Sequence, residues 1–174
     1  MEIIKIIVGL IVAYFLVIAV LYNKIIKADK FVHTSFSSID IYLQKRYDLI
    51  PNLVKVVQDF TKHEEKVFVA IADARSKALV SKSLLNETVK INNDIDSDMK
   101  SINLLIENYP ELQSSQSYLN LQKQLASVEN DLVAARRTYN AAVTNYNTLI
   151  STVPTNLVAN AFKKKEYELF VFVN

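Results

Sequence analysis

The chain of 174 residues has no cysteine, no tryptophan, one glycine and three prolines. Without cysteine there is no disulfide, no thiolate metal site and no cysteine nucleophile, and either redox compartment would suit it. With Gly9 as the single glycine, no glycine-rich phosphate loop can be built. So few breakers argue against a sheet protein with many turns and for long helices joined by short turns. An excess of one charge is also lacking. The net charge is +2, with acids and bases interspersed, which gives no electrostatic case for nucleic acid as a partner.

One long uncharged run is present. Ile6 to Asn23 lies between Lys5 and Lys24 and is almost wholly apolar. At ~1.5 Å rise per residue it covers about 27 Å, close to a ~30 Å hydrocarbon core. Lys5 and Lys24 can snorkel to make up the difference, and Tyr22 stands where an interfacial aromatic is expected. A cleaved signal peptide is the competing reading, but the small-residue cleavage pattern is missing after the run. The expectation is a single-pass anchor that meets the bilayer through Ile6–Asn23. Lys24, Lys27 and Lys30 follow the span and only Lys5 precedes it, so the positive-inside rule puts the C-terminal side in the cytoplasm.

Beyond the anchor the apolar residues recur at helical spacing. Val32, Phe36, Ile39 and Leu43 form one stripe, predicting a first helix to about Tyr47. Pro51, preceded by Asp48 as a cap, reads as the first turn of a second helix. Gln44–Val54 is therefore expected to be a tight reversal. The second helix is predicted to about Ser81 and the third from about Leu84 to Asn108, where Tyr109-Pro110 breaks the pattern. Tyr118, Leu121, Leu125, Val128, Leu132, Ala135, Tyr139, Ala142, Tyr146 and Leu149 then alternate spacings of three and four, a coiled-coil-like period. A last short helix is predicted over about Thr155–Lys165. The expected fold is all-α: an N-terminal transmembrane helix (1–23) continuing into an antiparallel up-down four-helix bundle (24–153), with a short C-terminal helix and tail (154–174) near the membrane end.

That topology puts the 48–51 reversal and the Tyr109-Pro110 break at one membrane-distal tip. Arg46, Asp48, Pro51, Asn52, Tyr109 and Pro110 make up a candidate interaction tip. Arg46 continues the inward stripe and needs a charge partner, with Asp48, Glu107 and Glu111 available there. Tyr139, Asn140, Tyr146 and Asn147 repeat Tyr-Asn at a spacing of seven and are candidates for setting helix register. Phe162 and Lys163–Lys165 read as a solvated helix end at the foot, and three lysines fall short of a polybasic cluster of about four or more. Phe170–Val173 is an apolar, β-prone run: either it docks on the foot or the membrane, or the tail is atypical.

Catalytic chemistry has little to stand on. No nucleophile–base–orienter set is present. His63-Glu64-Glu65 lacks the second histidine of a zincin, with Val67 standing in its place. A metal-dependent factor using His63 and Glu64 is the alternative to a binding protein, with His33 as the one other histidine.

Several segments together resemble one family. These are Tyr22–Ile26 (YNKII), Gln44–Val54 (QKRYDLIPNLV), Thr61–Val67 (TKHEEKV), Glu107–Glu111 (ENYPE), Leu119–Glu129 (LNLQKQLASVE), Ala135–Tyr146 (ARRTYNAAVTNY) and Pro154–Phe162 (PTNLVANAF). In this order they resemble the LemA family of bacterial membrane-anchored proteins. The resemblance implies an N-terminal transmembrane helix and an antiparallel helical bundle, and it implies no particular activity or cofactor. The functional expectation is a protein-interaction or scaffold module at the bacterial envelope, with an unidentified protein partner or self-association.

Overall fold

The structure is a computed structural model that describes residues 1–60, 99–100, 106–107 and 109–170. Every regular element among the described residues is an α-helix: α1 (Glu2–Phe60), α2 (Pro110–Gln113), α3 (Gln116–Ser151) and α4 (Thr155–Ala161). Most of the predicted second and third helices, with His63 and Glu64, lies outside the described residues.

The reversal expected at Asp48–Pro51 is not there. Pro51 lies inside α1, which runs on to Phe60. An interior proline removes one hydrogen bond and crowds the carbonyl four residues back, at a cost of about 3 kcal/mol. Burial outweighs it. Tyr47, Ile50, Leu53 and Val57 are all at most 6% exposed, and burying such side chains is worth about 1.5–3 kcal/mol each. They continue, at spacings of three and four, the stripe of Ile25, Val32, Ile39 and Leu43, all likewise buried. Local proline chemistry suggested a stop, and packing overrides it. Positions 48–51 are therefore helix interior, and the tip expected there does not form as a turn.

The other proline signals match their local structure. Tyr109 has φ −126° and ψ 79°, outside the helical region, and Pro110 opens α2, where its missing N–H costs nothing. α3 carries the long seven-residue pattern. Tyr118, Leu121, Leu132, Ala135, Tyr139, Ala142 and Tyr146 are buried along it, and Leu125, Val128 and Leu149 are half-buried.

The chain divides into two compact units, Met1–Ser37 with Ala135–Leu169, and Ser38–Ala134 with Phe170–Asn174. In the first, Ile25 and Val32 of α1 and Tyr139, Ala142, Val143 and Tyr146 of α3 are core, with the Phe36 and Tyr139 rings 5.7 Å apart. In the second, Arg46 pairs with Glu129 at 3.5 Å. The N-terminal part of α1 is long and apolar enough to cross a membrane by length and composition, and none of its most apolar stretch is buried.

Replacing Pro51 with alanine in the detergent-solubilised full chain is expected to raise stability by up to about 3 kcal/mol, read as a higher denaturation midpoint. A lower midpoint would mean that Pro51 shapes a turn.

Candidate functional site

The most connected polar cluster of the first unit forms around the C-terminal tail. α4 ends in a turn that needs a left-handed residue. Lys164 N–H donates to the Ala159 carbonyl at 2.9 Å and Lys163 N–H to that of Asn160 at 3.1 Å, the paired bonds of a Schellman ending. Lys163 takes the left-handed position with φ 52°, where glycine is usual. The helix therefore stops at Ala161, short of the expected Lys165, and the lysines belong to a reversal instead of a helix end.

Past that turn the tail is extended and packs on both helices. The Asn147 side chain grips the Tyr167 backbone from both sides, its Nδ2 donating to the carbonyl at 2.9 Å and its Oδ1 accepting from the N–H at 3.0 Å. Tyr139 Oη donates to the Glu168 carbonyl at 3.0 Å. The Tyr146 and Tyr167 rings lie 5.0 Å apart, and the Tyr22 and Phe162 rings 4.4 Å. An asparagine amide presents one donor and one acceptor in a plane, so Asn147 supplies what a neighbouring β-strand would.

Charge closes the clasp. Tyr167 Oη donates to Asp29 Oδ1 at 2.7 Å, and Lys164 Nζ donates to Asp29 Oδ2 at 2.8 Å. His33 Nε2 stands 3.0 Å from the same phenol oxygen. Since that oxygen gives its proton to Asp29, it accepts from His33 Nε2–H. Burial alone would raise the Asp29 carboxyl. The hydrogen bonds from Lys164 and Tyr167 outweigh it and hold the group below its ordinary 3.8. The hydrogen bond to Asp29 raises Lys164 above its ordinary 10.5. Burial, then the bond to Asp29, pushes the Tyr167 phenol up, so it stays a donor and cannot serve as a base. The geometry suits holding the tail in place.

Of the four candidate register residues, Tyr139, Tyr146 and Asn147 touch this tail. Tyr139 and Tyr146 are buried, and Asn140 and Asn147 are half-buried. The tail is not confined to the foot as expected. It runs back past Tyr146 to Tyr139, because Lys163 reverses it and Asn147 grips it. Phe170 is buried. Sequence reasoning missed Asp29, Lys164 and Tyr167, whose partners lie 135 and 138 positions apart. The signal available was the buried tyrosine pair, since a buried phenol needs a partner.

At the expected tip, Asp48 accepts from Gln44 Nε2 at 3.0 Å, Arg46 is paired to Glu129, and Asn52 is exposed. Glu129 was not among the partners expected for Arg46, because the supposed reversal pointed to acids near Pro110. Among the described residues no group of three or more His, Cys, Asp or Glu could hold a metal ion.

Asn147→Ala should cost about 1–3 kcal/mol by leaving the Tyr167 backbone groups ungripped, and should speed trypsin cleavage at Lys163–Lys165. Lys163→Gly should stabilise by about 1 kcal/mol, read from the denaturation midpoint. The lowered Asp29 carboxyl gives stability that is full above 3.8 and is lost as pH falls through the lowered value. The raised Lys164 contributes below 10.5, and that part is lost as pH rises through its raised value. ¹⁹F-tyrosine resonances of Tyr167 should report the acid release, and Asp29→Asn should abolish it.

A family model described as the LemA family matches residues 35–174. Magnetosome protein MamQ 2 of Paramagnetospirillum magneticum is 23% identical over 184 residues, covering 90% of this chain and 68% of that protein. Protein LemA of Metamycoplasma hominis is 25% identical over 150 residues, covering 86% of this chain and 68% of its own length. Magnetosome protein MamQ of Magnetospirillum gryphiswaldense is 22% identical over 187 residues, covering 90% and 67%. With four-fifths of its length matched by the family model, this chain belongs to the LemA family.

Proposed function

We propose that this protein is a single-pass membrane protein whose helical part works by binding other proteins at the bacterial envelope, without catalysing a reaction. One observation carries the reading. The most apolar stretch of α1 is wholly uncovered, yet it is continuous with the helix that builds the core of the first unit. About twenty apolar residues left bare would be a severe solubility fault in water and suit a bilayer. The lysine bias beyond the run favours the cytoplasmic side for the rest of the chain. The tail clasp also favours binding over catalysis, since its phenol is held protonated and its carboxylate is already paired.

The full chain, expressed in bacteria with a C-terminal epitope, should stay in the membrane pellet through alkaline carbonate. Its epitope should resist protease in intact spheroplasts and be cut after lysis. Release by carbonate would remove the anchor, and digestion in intact spheroplasts would reverse the orientation. In-membrane cross-linking then separates a foreign partner from self-association: adducts at whole multiples of the chain mass indicate the latter, and a chain that forms no adduct of either kind would remove the binding role.

A further inference from the structure

α1 leaves the apolar run at Lys24, and its next two turns form one wall of an open cavity of about 420 Å³. Lys24, Lys27 and Phe31 line it from α1, Asn145 and Thr148 from α3, and Thr152 from just beyond the end of α3. The size falls in the range of small-molecule sites, about 300–1,000 Å³.

The two lysines have no counter-ion in this unit. α3 carries no acidic residue from Ala135 to Ser151. The acid nearest in sequence, Asp29, is held by Lys164 and Tyr167. At 3.6 residues per turn it is rotated by about 140° from Lys24 and about 160° from Lys27. Nor are the lysines needed as caps for the end of α3. The Asn147 carbonyl accepts from Ser151 Oγ at 2.8 Å, that of Thr148 from Thr152 Oγ1 at 3.0 Å, and that of Leu149 from Thr155 Oγ1. The cavity is thus a hydroxyl-bearing hollow with two lysines that make no ion pair among the described residues, and the acid nearest its α3 side, Glu166, accepts from Ser151 Oγ at 3.3 Å.

Depth indicates what would neutralise it. At ~1.5 Å per residue, Lys24 and Lys27 lie about 1.5 and 6 Å beyond Asn23. The headgroup zone outside a ~30 Å hydrocarbon core is about 5–8 Å thick on each side. With the anchor proposed above ending at Asn23, the backbone of both lysines falls within that zone. On another face of α1, the tilted Tyr22 and Phe162 rings mark the same level with an aromatic pair.

We propose that this cavity is a headgroup site for an anionic phospholipid. The phosphodiester oxygens lie between the Lys24 and Lys27 ammonium groups. Asn145, Thr148 and Thr152 offer neutral polar atoms to a glycerol headgroup, and the acyl chains descend along the bare apolar face of α1. This rests on the membrane reading above, and the lipid, not a dissolved anion, is the occupant.

The test uses the full chain in phosphatidylcholine vesicles with and without phosphatidylglycerol. Photoactivatable analogues of the two lipids, with matched acyl chains and equal mole fraction, are cross-linked and the labelled peptides mapped. The phosphatidylglycerol analogue should label the cavity-lining peptides roughly fivefold more than the phosphatidylcholine one. Lys24→Gln with Lys27→Gln should bring the two to parity while carbonate-resistant insertion and helical content stay unchanged. Lys163→Gln with Lys165→Gln should leave the preference intact. Equal labelling of the wild type would overturn the proposal, as would a preference that survives loss of Lys24 and Lys27. Suppression of labelling by inorganic phosphate, without the same effect from chloride at matched ionic strength, would assign the site to a dissolved anion and overturn the lipid. A chain that never inserts into phosphatidylcholine vesicles would overturn the anchor itself, and this site with it.

Discussion

The apolar stripe of α1 is the constraint on which the other features depend. From Ile25 to Val57 it keeps one face of a single helix out of water, and it does so across a proline that would end most helices. Together the buried side chains contribute more through removal from water than the interior proline costs, so the helix continues. Upstream on the same helix, the bare apolar segment, the lysines that follow it and the carboxylate of Asp29 are all carried at fixed rises and angles.

The second organising contact is polar. α1 and α3 offer the tail two tyrosines, an asparagine and an aspartate, and the tail answers with its backbone and with Lys164 and Tyr167. Asn147 binds main chain, which any residue could supply, whereas Asp29 binds side chains, which fix one register. The first makes the tail adhere and the second sets where it stops. Tyr139, Tyr146 and Asn147, from a pattern that looked suited to aligning helices with each other, hold the tail against them.

What the sequence disclosed followed from the range of the interactions. The extent of α3 was legible because its apolar positions recur without a miss, and the break at Tyr109 because proline restricts the residue before it. Family membership was legible from segments such as Gln44–Val54 and Ala135–Tyr146. Pro51 misled because its local preference for a first turn was read without the stripe on either side. Arg46 was rightly seen to need an acid, but Glu129 could not be selected among many. Asp29, Lys164 and Tyr167 lay beyond reach, since nothing local links residues so far apart in sequence. The Lys24–Thr152 hollow needed the pairing of α1 with α3 before its charge could be read.

The absence of a hinge between the apolar run and the lysines has a mechanical meaning. A helix transmits translation and rotation along its axis without slack. If the surrounding bilayer thinned by a few ångströms, α1 would have to tilt or slide to keep its apolar run covered. Lys24, Lys27 and Asp29 would move with it as one body, altering how deep the positive hollow sits relative to the phosphates. With the anchor proposed above, the first unit would act as a gauge, in which the thickness of the surrounding lipid is converted into the height of a charge.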